Sequence, residues 1–243
     1  VNSSVSWSSS YSLTLEATGN IEVNAPITAS FAGTITRPLL NLYYGQASAN
    51  GIGARSIFLS PVTLPAGLTL TEKLGSSGAK ISYQVIKTVA ALQAISTNST
   101  SLAGNYALGA SLNLSGEAFT PIGSSASPFR GRFEGLGNRI SNLTINAPST
   151  DYLGLFGYTE GSQIRNLGLV NAQITGANNI GGLVGYSGSG SSILNSFASG
   201  AVSGQNNIGG LVGHNRGLAG YNLGSIMNSY SSSSVNGQNN DVG

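Results

Sequence analysis

The residues that could perform acid–base chemistry are few and widely spaced in this sequence. The chain has eight acidic residues, one histidine and no cysteine among 243 residues. Glu117 and Glu134 come nearest to a carboxylate pair in a region that could form a groove, yet they lie 17 residues apart. Polysaccharide hydrolases and lyases need converging carboxylates or an acidic cluster that holds Ca²⁺. We therefore expect no enzyme activity, no catalytic residue, no cofactor and no zinc site.

The densest positive cluster consists of Arg130, Arg132 and Arg139. Arg130 and Arg132 are two residues apart, so on a strand their side chains share a face, opposite the neighbouring phenylalanines. Such a stripe could bind an anionic glycan or lipopolysaccharide through bidentate contacts. It could equally serve only to keep a strand edge soluble. A net charge of +2 does not supply the continuous basic face that nucleic-acid binding requires.

A second candidate site is the segment that follows Gly213, which contains His214, Arg216 and Tyr221. It has 12 residues, whereas the equivalent segments of the two preceding repeats have 7 and 6. Insertions in repeat proteins map to one face, which is often the binding face. The segment is therefore a candidate recognition loop, with an ordinary variable turn as the alternative. No nucleophile-elbow motif accompanies the histidine, so a catalytic triad is not indicated.

Asn-x-Ser/Thr sequences occur at Asn2, Asn98, Asn113 and Asn142. In a chain this rich in asparagine and serine, chance matches are expected. Asn98 lies in a polar Thr-Asn-Ser-Thr segment and is the best candidate for glycosylation.

Internal repeats position these residues. Three similar segments begin at Thr150, Asn178 and Asn206, each 28 residues after the last, and a fourth copy begins at Asn239 and is cut short. A period of 20–50 residues indicates a solenoid, a propeller or an array. Each repeat contains short β-favouring runs bounded by Gly, Asn and Ser, without helical periodicity. The sequence therefore predicts a parallel β-helix, because a propeller blade would need roughly 40 residues.

Aligned residues of the repeats are expected to stack into continuous columns. The predicted apolar columns are Leu155, Leu183 and Leu211; Tyr152, Ile180 and Ile208; and Phe156, Val184 and Val212. The recurring glycines are expected either at positive-φ corners or where backbones approach closely. These glycines are Gly154, Gly182 and Gly210, and Gly157, Gly185 and Gly213.

We divide the chain into four regions. Residues 1–36 are N-terminal β-helix turns, and residues 37–86 are an irregular β segment whose strands could pair outside the main helix. Residues 87–149 hold a short helix, predicted over 87–96, followed by irregular β-helix turns. Residues 150–243 are the repeats. The helix is expected to cover the side of the solenoid, with binding of a partner as the alternative.

The segments 105–108, 119–123 and 128–145, followed by the Gly-Gly-Leu-Val-Gly copies, resemble the GLUG-repeat region of filamentous-haemagglutinin-like exoproteins. These are large adhesins of Gram-negative two-partner secretion. Residues 13–28 resemble the β-helical turns of the same exoproteins. The resemblance implies a right-handed parallel β-helix, secretion through an outer-membrane transporter, and attachment to a host glycan or matrix protein. The N-terminal secretion domain of this family is not recognisable, so we expect an internal or C-terminal piece.

The predicted function is a segment of a secreted, surface-displayed bacterial adhesin that forms a stiff rod. The alternatives are a passive spacer that presents a toxin or binding tip elsewhere, and a carbohydrate-active β-helix enzyme. No apolar run of about 18 residues indicates a membrane span. The low charged fraction, 7%, fits this fold. Like charges stacked about 4.8 Å apart would repel one another, whereas asparagine and serine can hydrogen-bond along the stack.

Overall fold

The computed structural model describes residues 1–31, 33, 39–215 and 225–238. Within these residues the chain is nearly all β, with about seven turns of stacked, mostly parallel strands and one short helical segment. The predicted parallel β-helix is therefore confirmed. Arg216, Tyr221 and the fourth copy at Asn239 lie outside the described residues.

The chain divides into two compact units. The first comprises residues 1–87, 105–110 and 134–138, and the second comprises 88–104, 111–133 and 139–243. The first ten strands belong to the first unit: β1 (Val5–Trp7), β2 (Leu13–Glu16), β3 (Ile21–Val23), β4 (Ile27–Ala29), β5 (Leu40–Tyr44), β6 (Ser56–Phe58), β7 (Val62–Thr63), β8 (Thr69–Leu74), β9 (Lys80–Ile86) and β10 (Asn105–Leu108).

Three stacks of parallel strands build the first unit. They run β1-β4-β7, β2-β5-β8 and β3-β6. Strand β9 departs from this pattern because it runs antiparallel to β8, forming a hairpin, before it pairs in parallel with β10. The alternation of buried and outward residues, as in Leu40–Tyr44, directs leucines into the core. Leu39, Leu40, Leu42, Leu64 and Leu70 are all fully buried there.

The helical segment opens the second unit. It consists of α1 (Val89–Gln93), a 3₁₀ turn (Ala94–Ser96) and α2 (Ser99–Leu102). The Thr88 hydroxyl caps α1 by accepting a hydrogen bond from the amide of Ala91 at 3.1 Å. Leu92 and Ile95 are buried. The predicted helix is confirmed, and it begins at Val89 because Thr88 serves as its cap.

The remaining strands follow in chain order: β11 (Leu112–Asn113), β12 (Arg132–Glu134), β13 (Arg139–Ser141), β14 (Thr144–Asn146), β15 (Phe156–Thr159), β16 (Gln163–Arg165), β17 (Gly168–Thr175), β18 (Asn178–Gly181), β19 (Val184–Ser187), β20 (Ser192–Leu194), β21 (Phe197–Gly204), β22 (Asn206–Gly209), β23 (Val212–Asn215), β24 (Ser225–Met227), β25 (Tyr230–Ser231) and β26 (Ser234–Gly237). In the second unit, parallel stacks run β15-β19-β23, β18-β22, β16-β20-β24 and β11-β13-β17-β21. Strands β25 and β26 both pair with β21.

Two of the three predicted apolar columns are confirmed. Phe156 pairs with Val184, which pairs with Val212. The leucine column is joined by backbone hydrogen bonds, since the Leu183 amide donates to the Leu211 carbonyl at 2.9 Å. All three leucines of that column, Leu155, Leu183 and Leu211, are buried.

The column that begins with Tyr152 is predicted wrongly. Leu153, and not Tyr152, bridges to Ile180, which pairs with Ile208. The first repeat has one residue between its apolar position and Leu155, whereas the second has two between Ile180 and its leucine. This one-residue difference places Leu153 in the core and leaves Tyr152 outside the column.

The recurring glycines allow close approach of the backbone, and none of the six has a positive φ in the described part of the chain. A Cβ atom on Gly185 would lie 2.8 Å from the carbonyl oxygens of Asn179 and Gly157. On Gly213 it would lie 2.5 Å from the nitrogen of Ile180. The stacked turns are thus spaced so closely at these positions that a side chain would displace backbone.

Candidate functional site

Asparagines occupy many of the left-handed positions of the second unit, alongside several glycines and Tyr152. Seven asparagines have φ between 48° and 59°: Asn142, Asn166, Asn171, Asn179, Asn195, Asn207 and Asn228. Among residues with a Cβ atom, asparagine tolerates this conformation best because its short polar side chain can hydrogen-bond locally. The sequence contains the signal, since these residues recur at repeat spacing, but we considered only the recurring glycines for such corners, with close backbone approach as their alternative.

The asparagine side chains form ladders along the stack. Asn195 Nδ2 donates to Asn166 Oδ1 at 3.2 Å, and Asn228 Nδ2 donates to Asn195 Oδ1 at 3.3 Å. A second ladder joins Asn207 Nδ2 to Asn179 Oδ1 at 2.9 Å. Each donation runs from a later turn to the preceding turn. The amide dipoles are therefore aligned, and each side chain fixes the register of its neighbour.

A carboxylate begins a third ladder. Asp151 Oδ1 accepts hydrogen bonds from both the backbone amide and Nδ2 of Asn178, at 2.9 and 2.7 Å. Asn178 Oδ1 in turn accepts from Asn206 Nδ2 at 2.6 Å. A residue at the start of a ladder needs only to accept, and the aligned donors favour negative charge there. Asp151 therefore supplies the acceptor that this ladder needs.

Aromatic rings form a second kind of column. Tyr158 and Tyr186, paired across β15 and β19, stack with ring centroids 4.3 Å apart and planes 18° apart. His214 stacks on Tyr186 at 5.0 Å and 8°. The Tyr152 ring meets both tyrosines edge-on, at 5.4 and 5.8 Å. Our sequence reasoning missed this cluster, although the residue after Gly157, Gly185 and Gly213 is aromatic each time.

The environment of Tyr158 alters its acidity. Burial, together with a side-chain hydrogen bond to Tyr186 and the nearby negative charge of Glu160, raises the pKa of Tyr158 from 10.0 to about 12. Each of these causes disfavours the phenolate. Tyr158 therefore stays protonated at neutral pH.

The three predicted arginines each have a partner of their own. Arg130 forms an ion pair with Glu160 at 2.5 Å, and its side chain is 54% exposed. Arg132 Nη1 donates to Gln163 Oε1 at 2.8 Å. Arg139 lies over the Phe197 ring, 5.6 Å from the ring centroid. Phe129 and Phe133 are buried while Arg130 is exposed and Arg132 half-buried, but Arg130 precedes strand β12, which begins at Arg132, so the predicted shared strand face is not formed. Arg139 belongs to another sheet.

A glycine makes room for the Arg139 contact. Strand pairing places Gly168 between Arg139 and Phe197. A Cβ atom on Gly168 would lie 2.6 Å from Phe197 Cζ and 3.1 Å from Arg139 Cγ. Phe197 also stacks on Tyr230, at 5.4 Å and 8°. Arginine and two aromatic rings thus form an outward column beside the ladders.

We expected His214 to lie in a loop, but it lies in strand β23. It pairs there with Tyr186 because the strand pairing continues for two residue pairs beyond Gly213. Its ring is half-buried and engaged by the stacking contact. Recognition by His214, Arg216 and Tyr221 stays a prediction.

Asn98 serves as the N-cap of α2. Its Oδ1 accepts from the amide of Ser101 at 2.9 Å, and its Nδ2 donates to Thr97 Oγ1 at 3.2 Å. The residue is exposed, and its glycosylation stays a prediction.

The two candidate carboxylates have different environments. Glu117 is exposed. Glu134 is fully buried, and its Oε1 accepts a hydrogen bond from the amide of Leu136 at 2.8 Å. Glu134 therefore stabilises a turn of the first unit, and the absence of a catalytic role stays a prediction.

Two further features concern only the described residues. They contain no group of three or more His, Asp or Glu side chains that could hold a metal ion. None of their helices has the length and apolar character needed to cross a membrane.

Comparison with known proteins identifies one family motif. The model of the GLUG motif matches residues 176–203. This confirms the GLUG part of the resemblance, while membership of the filamentous-haemagglutinin-like exoproteins stays a prediction. No solved structure matches the chain.

Two relatives are similar to parts of the chain. Halomucin of Haloquadratum walsbyi is 34% identical over 190 residues, which are 72% of this chain and 2% of halomucin. A protein of Evansella cellulosilytica described as a Gly-rich membrane protein is 41% identical over 69 residues, which are 28% of this chain and 8% of that protein. The chain thus spans only a small fraction of the length of either relative.

Proposed function

We propose that this chain is a surface-exposed structural segment of a much larger protein. The observation that carries the proposal is the set of neutral asparagine ladders, which hold neighbouring turns in register with few charged residues. The GLUG motif and the similarity to halomucin and to a described membrane protein support a location at the cell surface.

Surface exposure can be tested on intact cells of the source organism. An antibody raised against this chain should label intact cells, and added protease should remove the label. A cytoplasmic protein probed in parallel reports lysis. Labelling only after the cells are broken would contradict the proposal.

Attachment to an anionic glycan or matrix protein is a second candidate function. It is favoured by the exposed side chain of Arg130, which lies two residues before Arg132, the half-buried first residue of strand β12. Removing both side chains, Arg130→Ala with Arg132→Ala, should abolish binding to acidic members of a glycan array. Lys80→Ala with Lys87→Ala removes the same charge elsewhere and should leave binding intact.

A passive spacer remains the competing interpretation, and it is supported by the partners that Arg130 and Arg132 already have within the chain. Absence of any binding by the unaltered chain would favour the spacer. In either case we propose a non-enzymatic role, so incubation with a polysaccharide panel should release neither reducing sugars nor unsaturated products.

The export route also belongs to the proposal. The resemblance to filamentous-haemagglutinin-like exoproteins implies two-partner secretion, a Gram-negative source and association with the outer membrane. Halomucin, however, is archaeal. Deleting the outer-membrane transporter encoded beside the full-length protein should abolish surface labelling if this route operates, and unchanged labelling would exclude it.

A further inference from the structure

Two tyrosines of the second unit face each other across neighbouring turns. Tyr158 and Tyr186 are paired residues of parallel strands β15 and β19, so the backbone holds them at equivalent positions of neighbouring turns. Their rings are nearly parallel, 18° apart, with centroids separated by 4.3 Å. We propose that Tyr158 and Tyr186 are a site of oxidative cross-linking, which joins the two turns through a dityrosine bond.

The geometry distinguishes this pair from the other aromatic contacts. Tyr152 meets Tyr158 and Tyr186 with its plane turned by 65° and 83°, so its ring carbons are not laid over theirs. Phe197 and Tyr230 stack in parallel, at 8°, but have only one phenol between them. Of these contacts, the first pair alone combines two phenols with face-to-face stacking.

The reaction requires a one-electron oxidant, which we name as a photogenerated ruthenium(III) polypyridyl complex or an extracellular peroxidase using hydrogen peroxide. Each phenol gives up one electron and its hydroxyl proton. The two phenoxyl radicals then form one carbon–carbon bond between ring positions ortho to the oxygens. Both ring hydrogens at these positions move to the phenoxyl oxygens through solvent, which restores aromaticity. Overall, two tyrosines lose two electrons and two protons, and two ruthenium(III) ions are reduced to ruthenium(II).

Two further properties favour coupling at this site. The rings are positioned before oxidation, so the second step needs no diffusional encounter. The chain contains no cysteine and one methionine, so there is no thiol to reduce a tyrosyl radical within the molecule.

The position of the arginines allows a direct assay. Cleavage after Arg139, Arg165 and Arg216 places Tyr158 on peptide 140–165 and Tyr186, as its sole tyrosine, on peptide 166–216. The dilute full-length chain is oxidised with photogenerated ruthenium(III), and the monomer is isolated, digested and examined by mass spectrometry. We expect a species with the summed mass of the two peptides less two hydrogens, and fragment ions that locate the bond at Tyr158. Dityrosine fluorescence should appear in the monomer.

Conservative variants distinguish coupling of Tyr186 with Tyr158 from coupling of Tyr186 with Tyr152. Tyr158→Phe keeps the stacked ring but removes the phenol, so it should abolish the linked peptide. Tyr152→Phe is the matched control, since it lies on the same peptide, and it should leave the yield unchanged. A linked peptide that persists in Tyr158→Phe, or that is absent from the oxidised unaltered chain while tyrosine is consumed, would overturn the proposal. The result is independent of the proposed surface role, because the assay uses the isolated chain.

Discussion

Asparagine performs two tasks at the corners of the second unit. It accepts the left-handed backbone conformation that glycine also adopts, and it carries ladder hydrogen bonds that glycine could not make. Asn195 illustrates both, with φ of 48° and with ladder contacts to Asn166 and Asn228. The choice of asparagine is therefore a matter of conformation and of register together.

Substitutions at Asn195 should separate these two tasks. Asn195→Gly keeps the backbone conformation and loses two hydrogen bonds, at a cost of about 1–2 kcal/mol. Asn195→Ala also forces a Cβ-bearing residue into the left-handed region, which adds about 1 kcal/mol. Urea unfolding followed by circular dichroism should give the order wild type, glycine variant, alanine variant. Equal stability of the two variants would mean that the backbone conformation contributes nothing.

The raised pKa of Tyr158 predicts a loss of stability at alkaline pH. Because the folded pKa is about 12 and the ordinary value is 10.0, the neutral phenol favours the folded state fully below pH 10. This contribution disappears as the pH rises from 10 through 12. Its upper bound is roughly 2–3 kcal/mol. Between pH 9 and 12, the free energy of unfolding should therefore fall more steeply for wild type than for Tyr158→Phe. Parallel falls in the two proteins would contradict a raised pKa at Tyr158.

At the scale of elements, strand pairing brings some glycines against backbone and others against side chains. A Cβ atom at Gly185 would meet backbone atoms of three residues, at 2.8 Å in each case. At Gly168 it would meet the Phe197 ring, at 2.6 Å. A ring can turn aside, whereas stacked backbone can move only if neighbouring turns separate. The two contacts therefore differ in cost although their distances are similar.

We expect Gly185→Ala to destabilise the second unit by more than about 3 kcal/mol, since overpacking against fixed atoms costs the most. Gly168→Ala should cost about 1 kcal/mol and displace Phe197 from Arg139. Gly161→Asn is the control, because φ there is +62° with no atom within 4 Å of the added Cβ, and it should be neutral. Thermal melts of the three variants test the order. Similar melting for the first two would contradict it.

Much of the arrangement of strands and helix could be predicted from the sequence. The 28-residue spacing identifies the parallel β-helix, and the leucine column and the helix near Leu92 follow from periodicity alone. Hydrogen bonding of asparagines along the stack is also expected from the sequence and is confirmed. The pairing of particular asparagines, the ring stacks and the position of Tyr152 do not follow. They depend on where a repeat is one residue shorter than the next. The first repeat has only Gly154 between Leu153 and Leu155, whereas the second repeat has two residues at this place. Alignment of the repeats does not show where the missing residue falls. Pairing partners such as Glu160 for Arg130 also require the actual register of the turns.

At the scale of the whole molecule, the low charge predicts insensitivity to salt. With 7% charged residues and a net charge of +2, few contacts are subject to ionic screening, and the ladders are formed by neutral amides. The melting temperature should change little between about 0.05 M and about 1 M sodium chloride. Circular dichroism melts provide the measurement. A marked fall in melting temperature with salt would indicate that ion pairs, and not the ladders, hold the turns together.

The central claim is that two ladder positions stacked directly on each other cannot both be charged. Asn207 Nδ2 donates to Asn179 Oδ1 at 2.9 Å, so a carboxylate at one position can still accept a hydrogen bond, whereas two would face each other. A double-mutant cycle of Asn179→Asp and Asn207→Asp tests this directly. At neutral pH we predict that the double variant loses about 2 kcal/mol more than the two single variants together, and that it regains this as the pH falls to about 4. Additive losses that do not change with pH would contradict the claim.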